Sequence, residues 1–329
     1  RVLAEHSETA YMTRRAIDFI RDAGDEPWSL HLSYIKPHWP YMVPSPYHNM
    51  YGVEDVLPAV RSDDERADPH PVVKAFMNHG EGVVLSDDSA RHNVIPTYMG
   101  LVKELDDHVG HLMTALSDLG RSDDTLIVLT SDHGDYLGDH WLGEKELFHE
   151  PSVRIPLIVT DPSMSAEQSR GSTSQALVEG IDLIPTFIDV LGGNPHQPWL
   201  EGRSFLDILH GRSAESRDFV VAELDYFARK ARLELKVAAD RAKGWMVRSD
   251  RWKYVFYEGF EPQLFDLDND PDELTDRASD PSCQGVLDEH RDRLFHWFRC
   301  RKSTVTVDYD YLNTRHEFAT RGGFIFGEW

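Results

Sequence analysis

The sequence predicts an α/β protein: a mixed, largely parallel sheet sandwiched by helices, then a smaller C-terminal antiparallel α+β subdomain. Three observations carry this. Two apolar runs, "TLIVLT" (125–130) and "RIPLIVT" (154–160), have the composition of strands buried on both faces. Helical periodicity precedes the first run and follows the second. Past about residue 212 the pattern shifts to short strand-like segments separated by turns. The expected divisions are 1–212, 213–303 and a polar, aromatic-bearing arm over 304–329.

Residues 8–23 have amphipathic helical spacing and run into Gly24, a natural stop. "WSLHLSYI" (28–35) alternates Trp28, Leu30, Leu32 and Tyr34 with polar residues, which is strand spacing, and Pro37 and Pro40 end it. Residues 41–92 are rich in Pro, Asp, His and Gly and read as an excursion with little regular structure. From Tyr98 to Leu119 the apolar positions return at helical spacing and stop at Gly120. A further helix is expected over 182–191. "RSFLDILHG" opens with Ser204 and carries Asp207 three residues on, a capping arrangement. "DFVVAEL", "GWMVRSD" and "WKYVFY" read as strands, the last two forming a hairpin across Asp250. A last helix is expected over 285–300.

Composition narrows the function classes. In 329 residues the net charge is −23, which argues against nucleic acid and anionic membrane surfaces as partners. A metal ion and one Lys can still reverse the local field for a small anion. No apolar run reaches about 18 residues. Cys283 and Cys300 form no CxxC pattern, so neither a disulfide framework nor a Cys-rich zinc site is expected. Free thiols are compatible with a reducing compartment, and the expected location is cytoplasmic. The opening residues lack Met and read as the start of a helix, as in a chain without its true N-terminus.

The densest chemistry lies between the two apolar runs. Ser131, Asp132 and His133 fall where "TLIVLT" ends, and Gly134 lets the backbone turn. The carboxyl ends of strands are where α/β sheets bind ligands. Asp132 offers a hard anionic oxygen and His133 an imidazole nitrogen, a pair suited to a metal ion. The rival reading, a turn cap and a surface histidine, is equally good on spacing alone. Lys145, in "LGEKELFHE", is a cation that could face an anionic substrate or a solvated neighbour of Glu144 and Glu146. His38, in "KPHWPY", follows another expected strand end and could protonate a leaving oxygen or simply pack.

Together these segments resemble the C-terminal part of the sulfatase branch of the alkaline phosphatase superfamily. The matching stretches are "YIKPHWPY", "TSDHGDYLGDHWLGEK" with "RIPLIV" after it, "EGIDLIPTFIDVLG", "LEGRSFLDIL" and "LFDLDNDPDELTDRA". Their order matches the family from about residue 8 to residue 280. Among its members the phosphonate monoester hydrolases, which also cleave phosphodiesters and sulfate esters, look most similar; an arylsulfatase proper is the alternative. The resemblance implies an alkaline phosphatase-like fold and a small anionic ester as substrate. It implies that Asp132 and His133 are metal ligands, that Lys145 contacts the substrate's sulfuryl or phosphoryl oxygens, and that His38 lies near the leaving group. It assigns "LFDLDNDPDE" to a structural hairpin, and that stretch lacks the Gly and closing Glu of a calcium loop.

The cofactors implied are one divalent ion, Mn or Ca with Zn or Mg as further candidates, and a formylglycine nucleophile made from Cys or Ser in a "CxPSR"-like motif. Imidazole beside carboxylate suits Mn or Zn better than Ca, and the reading leans to Mn. The motif is absent: "PSCQG", "FRCRK" and "EPSVR" do not fit it. The chain is therefore expected to be part of a longer enzyme, inactive alone, ahead of a split product or a non-catalytic descendant. The aromatic arm 304–329 is expected to mediate homo-oligomer formation.

Overall fold

A computed structural model describes residues 2–212 and 217–301. The arm 304–329, and with it the expected oligomer contact, lies outside the described residues. Helix α1 (Glu8–Ala23) starts where the Ser7 hydroxyl accepts from Ala10 N, and it ends at Gly24, whose φ of 55° suits a residue without Cβ. Its buried face, Thr9, Ala10, Thr13, Ala16 and Ile20, packs on a later, longer helix.

Residues 28–35 keep the alternating exposure of a strand but join no ladder among the described residues. The stretch read as irregular holds three short helices: α2 (Asp63–Ala67), α3 (Pro71–Met77) and α4 (Gly80–Leu85). The apolar positions of α3 are only Val72, Val73, Ala75 and Phe76, a run too short to stand out from its polar flanks, yet all four are buried. Helix α5 (Asp88–Asp118) begins ten residues before the expected Tyr98 and runs through Pro96. A proline normally weakens a helix interior. Here the first turns are fixed by the Asp87 cap on Ser89 N and by buried Arg91, which donates to Leu137 O, Leu57 O and Asp88.

The two apolar runs become β1 (Ile127–Thr130) and β2 (Leu157–Thr160), which pair antiparallel. This corrects the largely parallel sheet read from sequence: every ladder among the described residues is antiparallel, and the one parallel contact is the isolated bridge Leu3–Ser45. An apolar run reports burial, not strand direction. Between the two strands lies α6 (Glu150–Val153), and after them α7 (Leu183–Val190) and α8 (Leu206–Leu209). The Ser204 hydroxyl accepts from Leu206 N as a cap should, but it donates to Asp189 Oδ2, while Asp207 pairs with Arg212.

The second sheet follows chain order: β3 (Val220–Asp225), β4 (Lys243–Arg248), β5 (Trp252–Tyr257) and β6 (Gln263–Asp266), all antiparallel, with α9 (Lys230–Leu235) between β3 and β4. Alternation sorts its side chains. Val247, Tyr254 and Leu264 face α10 (Gln284–Cys300). Met246, Val255, Tyr257 and Phe265 join Val72, Phe76, Tyr136, Leu142 and Leu147 in the main apolar cluster, which thus runs across residue 212. That shared cluster lies under the loop from 131 to 149. Among the described residues no helix is long and apolar enough to cross a membrane.

Candidate active site

Three segments meet beyond the end of β1. The turn after Thr130 is held by its own bonds: Ser131 Oγ donates to His133 O at 3.0 Å, and Gly134 N donates to Ser152 O at 2.7 Å. A Cβ at Gly134 would stand 1.9 Å from Pro151 O, so only glycine lets the two loops approach this closely.

Asp132 and His133 point into the same space. Asp132 Oδ2 lies 3.4 Å from His133 Nε2, and the Asp132 side chain is 86% exposed. His133 Nδ1 stands 2.7 Å from Gly134 O. A carbonyl only accepts, so Nδ1 carries the proton and donates, which leaves the lone pair on Nε2 beside the carboxylate. Metal-bound histidines are oriented in this way, by a carbonyl that fixes the tautomer. The donor set therefore fits a divalent cation. Among the described residues no group of three or more His, Cys, Asp or Glu forms a metal cluster, and Asp132 and His133 stand there as two candidate donors.

His38 and Lys145 complete the convergence. Lys145 Nζ lies 2.8 Å from His38 Nε2, and the His38 and His133 ring centroids are 6.1 Å apart. His38 Nδ1 is 2.7 Å from Trp39 O. The lysine donates to Nε2, and the proton of His38 sits on Nδ1, directed at the carbonyl. Lys36 Nζ donates to Pro40 O at 2.7 Å and fixes the turn that carries the histidine. The four residues singled out in the sequence, from segments about 100 positions apart, share one site.

The sulfatase family pattern matches residues 5–193, and the C-terminal pattern of N-sulphoglucosamine sulphohydrolase matches residues 138–299. The chain belongs to the sulfatase family. It is 31% identical over 314 residues to the multifunctional alkaline phosphatase superfamily protein PehA of Trinickia caryophylli, covering 90% of this chain and 60% of that one. It is 30% identical over 302 residues to a choline-sulfatase of Rhizobium meliloti, covering 88% and 55%. The fold matches a phosphonate monoester hydrolase of Silicibacter pomeroyi with a TM-score of 0.82 at 28% identity, over 92% of this chain and 62% of that one. The sulfatase-family chain thus spans about 60% of the length of the relatives it matches.

Around this candidate site lie residues that sequence reasoning passed over. Asp135 accepts from Tyr41 Oη at 2.8 Å and from Leu137 N at 3.1 Å. Burial pushes its carboxyl above the ordinary range despite these bonds. The second Asp of "SDHGD" was its only signal. Four non-glycine residues between Asp135 and Lys145 hold left-handed backbone: Leu137, His140, Trp141 and Glu144, with φ between 47° and 61°. Such conformations persist where neighbours over-determine them. Here His140 N donates to Val60 O, His140 Nδ1 meets Glu65 Oε1 at 2.7 Å, and Trp141 Nε1 donates to Ser62 O. His140 also stacks on His149 at 4.1 Å, and the Tyr136 hydroxyl meets His149 Nδ1 at 2.9 Å.

The segment that follows is tied to the second sheet. Lys253, fully buried on β5, donates to Phe148 O at 2.9 Å and lies 2.8 Å from Glu150 Oε1 and 2.6 Å from Glu273 Oε1. The two carboxylate contacts are close ion pairs. Glu150 N donates to Glu273 Oε2 at 2.6 Å, and Ser152 Oγ donates to Lys145 O at 2.5 Å. Residues 148–152 therefore connect Lys253 to both Lys145 and Gly134. The sequence did hold a signal: Lys253 shares a strand face with Val255 and Tyr257, which marks it as inward.

Proposed function

We propose that this chain carries part of the active centre of a metal-dependent hydrolase of sulfate, phosphonate or phosphate esters, of the phosphonate monoester hydrolase type. The observation that carries the reading is the meeting of an imidazole–carboxylate pair with a lysine–histidine pair at the end of β1. Asp132 and His133 Nε2 would hold a divalent cation, with Mn the first choice, and the ion would supply positive charge toward the ester's non-bridging oxygens. Lys145 adds a positive charge on the same oxygens. This local cation matters in a chain of net charge −23, because an anionic ester is otherwise repelled.

His38 has a dependent role. While Lys145 donates to Nε2, that nitrogen cannot carry a proton to anything else. When the lysine turns to the anion, Nε2 becomes free to take up a proton from solvent and deliver it to the departing oxygen. The attacking group in this reading is a formylglycine outside these 329 residues. Cys283 is buried in the α10 cluster and Cys300 is exposed at the end of that helix, so neither serves. The similarity in fold to phosphonate monoester hydrolases favours phosphonate and phosphodiester substrates over an arylsulfatase proper.

Lys145→Ala in the full protein is expected to lower kcat for phenyl phosphonate esters and aryl sulfates by about 10²–10³-fold, the usual loss for one charge-stabilising donor. Steady-state rates on both ester classes check this, and an unchanged kcat would defeat the assignment. The 329-residue chain alone is expected to give no turnover.

A further inference from the structure

The segment that carries His38 is tied to the rest of the site at few points. Residues 28–35 join no ladder among the described residues. The bonds inside 35–42 are local: His38 N donates to Ile35 O at 3.1 Å, Lys36 Nζ to Pro40 O at 2.7 Å, and Met42 N to Pro40 O at 2.8 Å. Among the described residues, two hydrogen bonds cross from 36–41 to another segment. One runs from Lys145 Nζ to His38 Nε2 at 2.8 Å. The other runs from Tyr41 Oη to Asp135 Oδ2, also at 2.8 Å, across 94 positions of sequence.

The first of these bonds is the one that breaks when the lysine turns to the anion. The second remains, and its far end is well anchored. Asp135 Oδ1 accepts from Leu137 N at 3.1 Å, and Tyr136 N donates to Glu144 O at 2.8 Å. Asp135 thus stands two residues from His133, on a loop bonded to the residue before Lys145. Burial and then the Asp135 carboxylate raise the Tyr41 pKa well above its ordinary value, so the hydroxyl stays protonated and donates. The Tyr41 ring meets Tyr98 of α5 edge-on at 6.1 Å, a contact that does not involve the hydroxyl.

We propose that Tyr41 and Asp135 form a positioning pair that keeps His38 against the departing oxygen after Lys145 has turned away. The inference rests on the functional reading above, in which His38 delivers a proton to that oxygen. Such delivery needs the two heavy atoms within about 2.6–3.2 Å of each other. A histidine on a segment held only by its own local bonds drifts beyond that reach. A selective effect follows. A strongly basic phenolate departs slowly without the proton, whereas 4-nitrophenolate departs readily as the anion. Loss of the pair therefore penalises the basic leaving group, while a general loosening of the site lowers both rates alike.

The test compares kcat/KM for phenyl and 4-nitrophenyl esters of the same phosphonate, in the full protein. His38→Ala sets the scale and is expected to lower the phenyl-to-4-nitrophenyl ratio about tenfold or more. Tyr41→Phe keeps the ring on Tyr98 and removes only the hydroxyl. It is expected to lower the same ratio about fivefold, with wild-type metal content by elemental analysis. Asp135→Asn is expected to lower the ratio similarly, and the double variant no further than either single one, because all three remove one bond. An unchanged ratio in Tyr41→Phe, an equal loss on both esters, loss of the metal, or a double variant that falls by the product of the two singles overturns the pair while leaving the hydrolase reading intact. An unchanged ratio in His38→Ala defeats the role given to His38, and the pair with it.

Discussion

The two sheets treat their strands differently. In the four-stranded sheet, β6 is buried along its whole length, and both faces are covered, one by α10 and the other by the main cluster. In the two-stranded sheet, β2 alternates between partial and full exposure, and Ile158 is 62% exposed. The candidate metal ligands hang from the less complete of the two. Their rigidity comes instead from the complete sheet, through Lys253 to residues 148–152 and from there to Gly134 and Lys145. The turn that carries the candidate residues is thus tied to a sheet it does not belong to.

The largest effect expected from this contrast is at Lys253. Lys253→Met leaves Glu273 buried with no compensating charge, while Glu150 keeps Arg248 at 3.4 Å; stranding one buried charge typically costs about 3–5 kcal/mol. The double variant Lys253→Met, Glu273→Gln is expected to recover more than half of that loss, because no fully buried carboxylate remains unpaired. Urea unfolding of both proteins measures it. Equal loss in the two would show that packing, not charge, dominates at this junction.

A smaller effect is expected where the two loops touch. Gly134→Ala places a Cβ against Pro151 O and is expected to cost about 1–3 kcal/mol through local displacement. It should lower kcat more than it changes KM, because it shifts the ligand pair relative to Lys145. Retention of wild-type stability and kcat would mean that the approach of the loops is not tight.

The smallest is a pH effect at the His140–His149 stack. Burial first, then the charges of His140 and Lys253, hold the His149 pKa well below 6.5. The unfolded chain therefore binds a proton below about pH 6.5 that the folded one refuses. Stability conferred by the buried imidazole is complete above that pH and falls as pH drops, by at most about 1.4 kcal/mol per unit. Buried acids such as Asp135, whose pKa is raised by burial, act in the opposite sense at lower pH. Comparing wild type with His149→Gln isolates the histidine: the variant's unfolding free energy should fall less between pH 6.5 and 5. Parallel profiles would contradict the buried imidazole.

Much of this was legible in the sequence, for identifiable reasons. His38, Asp132, His133 and Lys145 lie in short polar segments next to apolar runs, a weak signal in each case, and the resemblance grouped the four that the fold brings together. The helices of 63–85 were hidden because they bury few residues each, and Pro96 masked the first turns of α5. Strand direction was beyond reach, since the apolar composition of β1 and β2 suits either pairing. β6 was not readable from periodicity, because "QLFD" is buried at every position and shows no alternation; only the resemblance assigned "LFDLDNDPDE" to a hairpin. Lys253 was passed over because a lysine in a strand is most often solvated.

Metal content of the full protein tests the central claim most directly. After equilibrium dialysis against Mn²⁺ and removal of loose ions, the wild-type protein is expected to retain one divalent ion per chain by elemental analysis. Asp132→Ala and His133→Ala are expected to retain less than a tenth of that and to lose ester hydrolysis in parallel. Full metal retention with full hydrolysis in both variants would contradict the account.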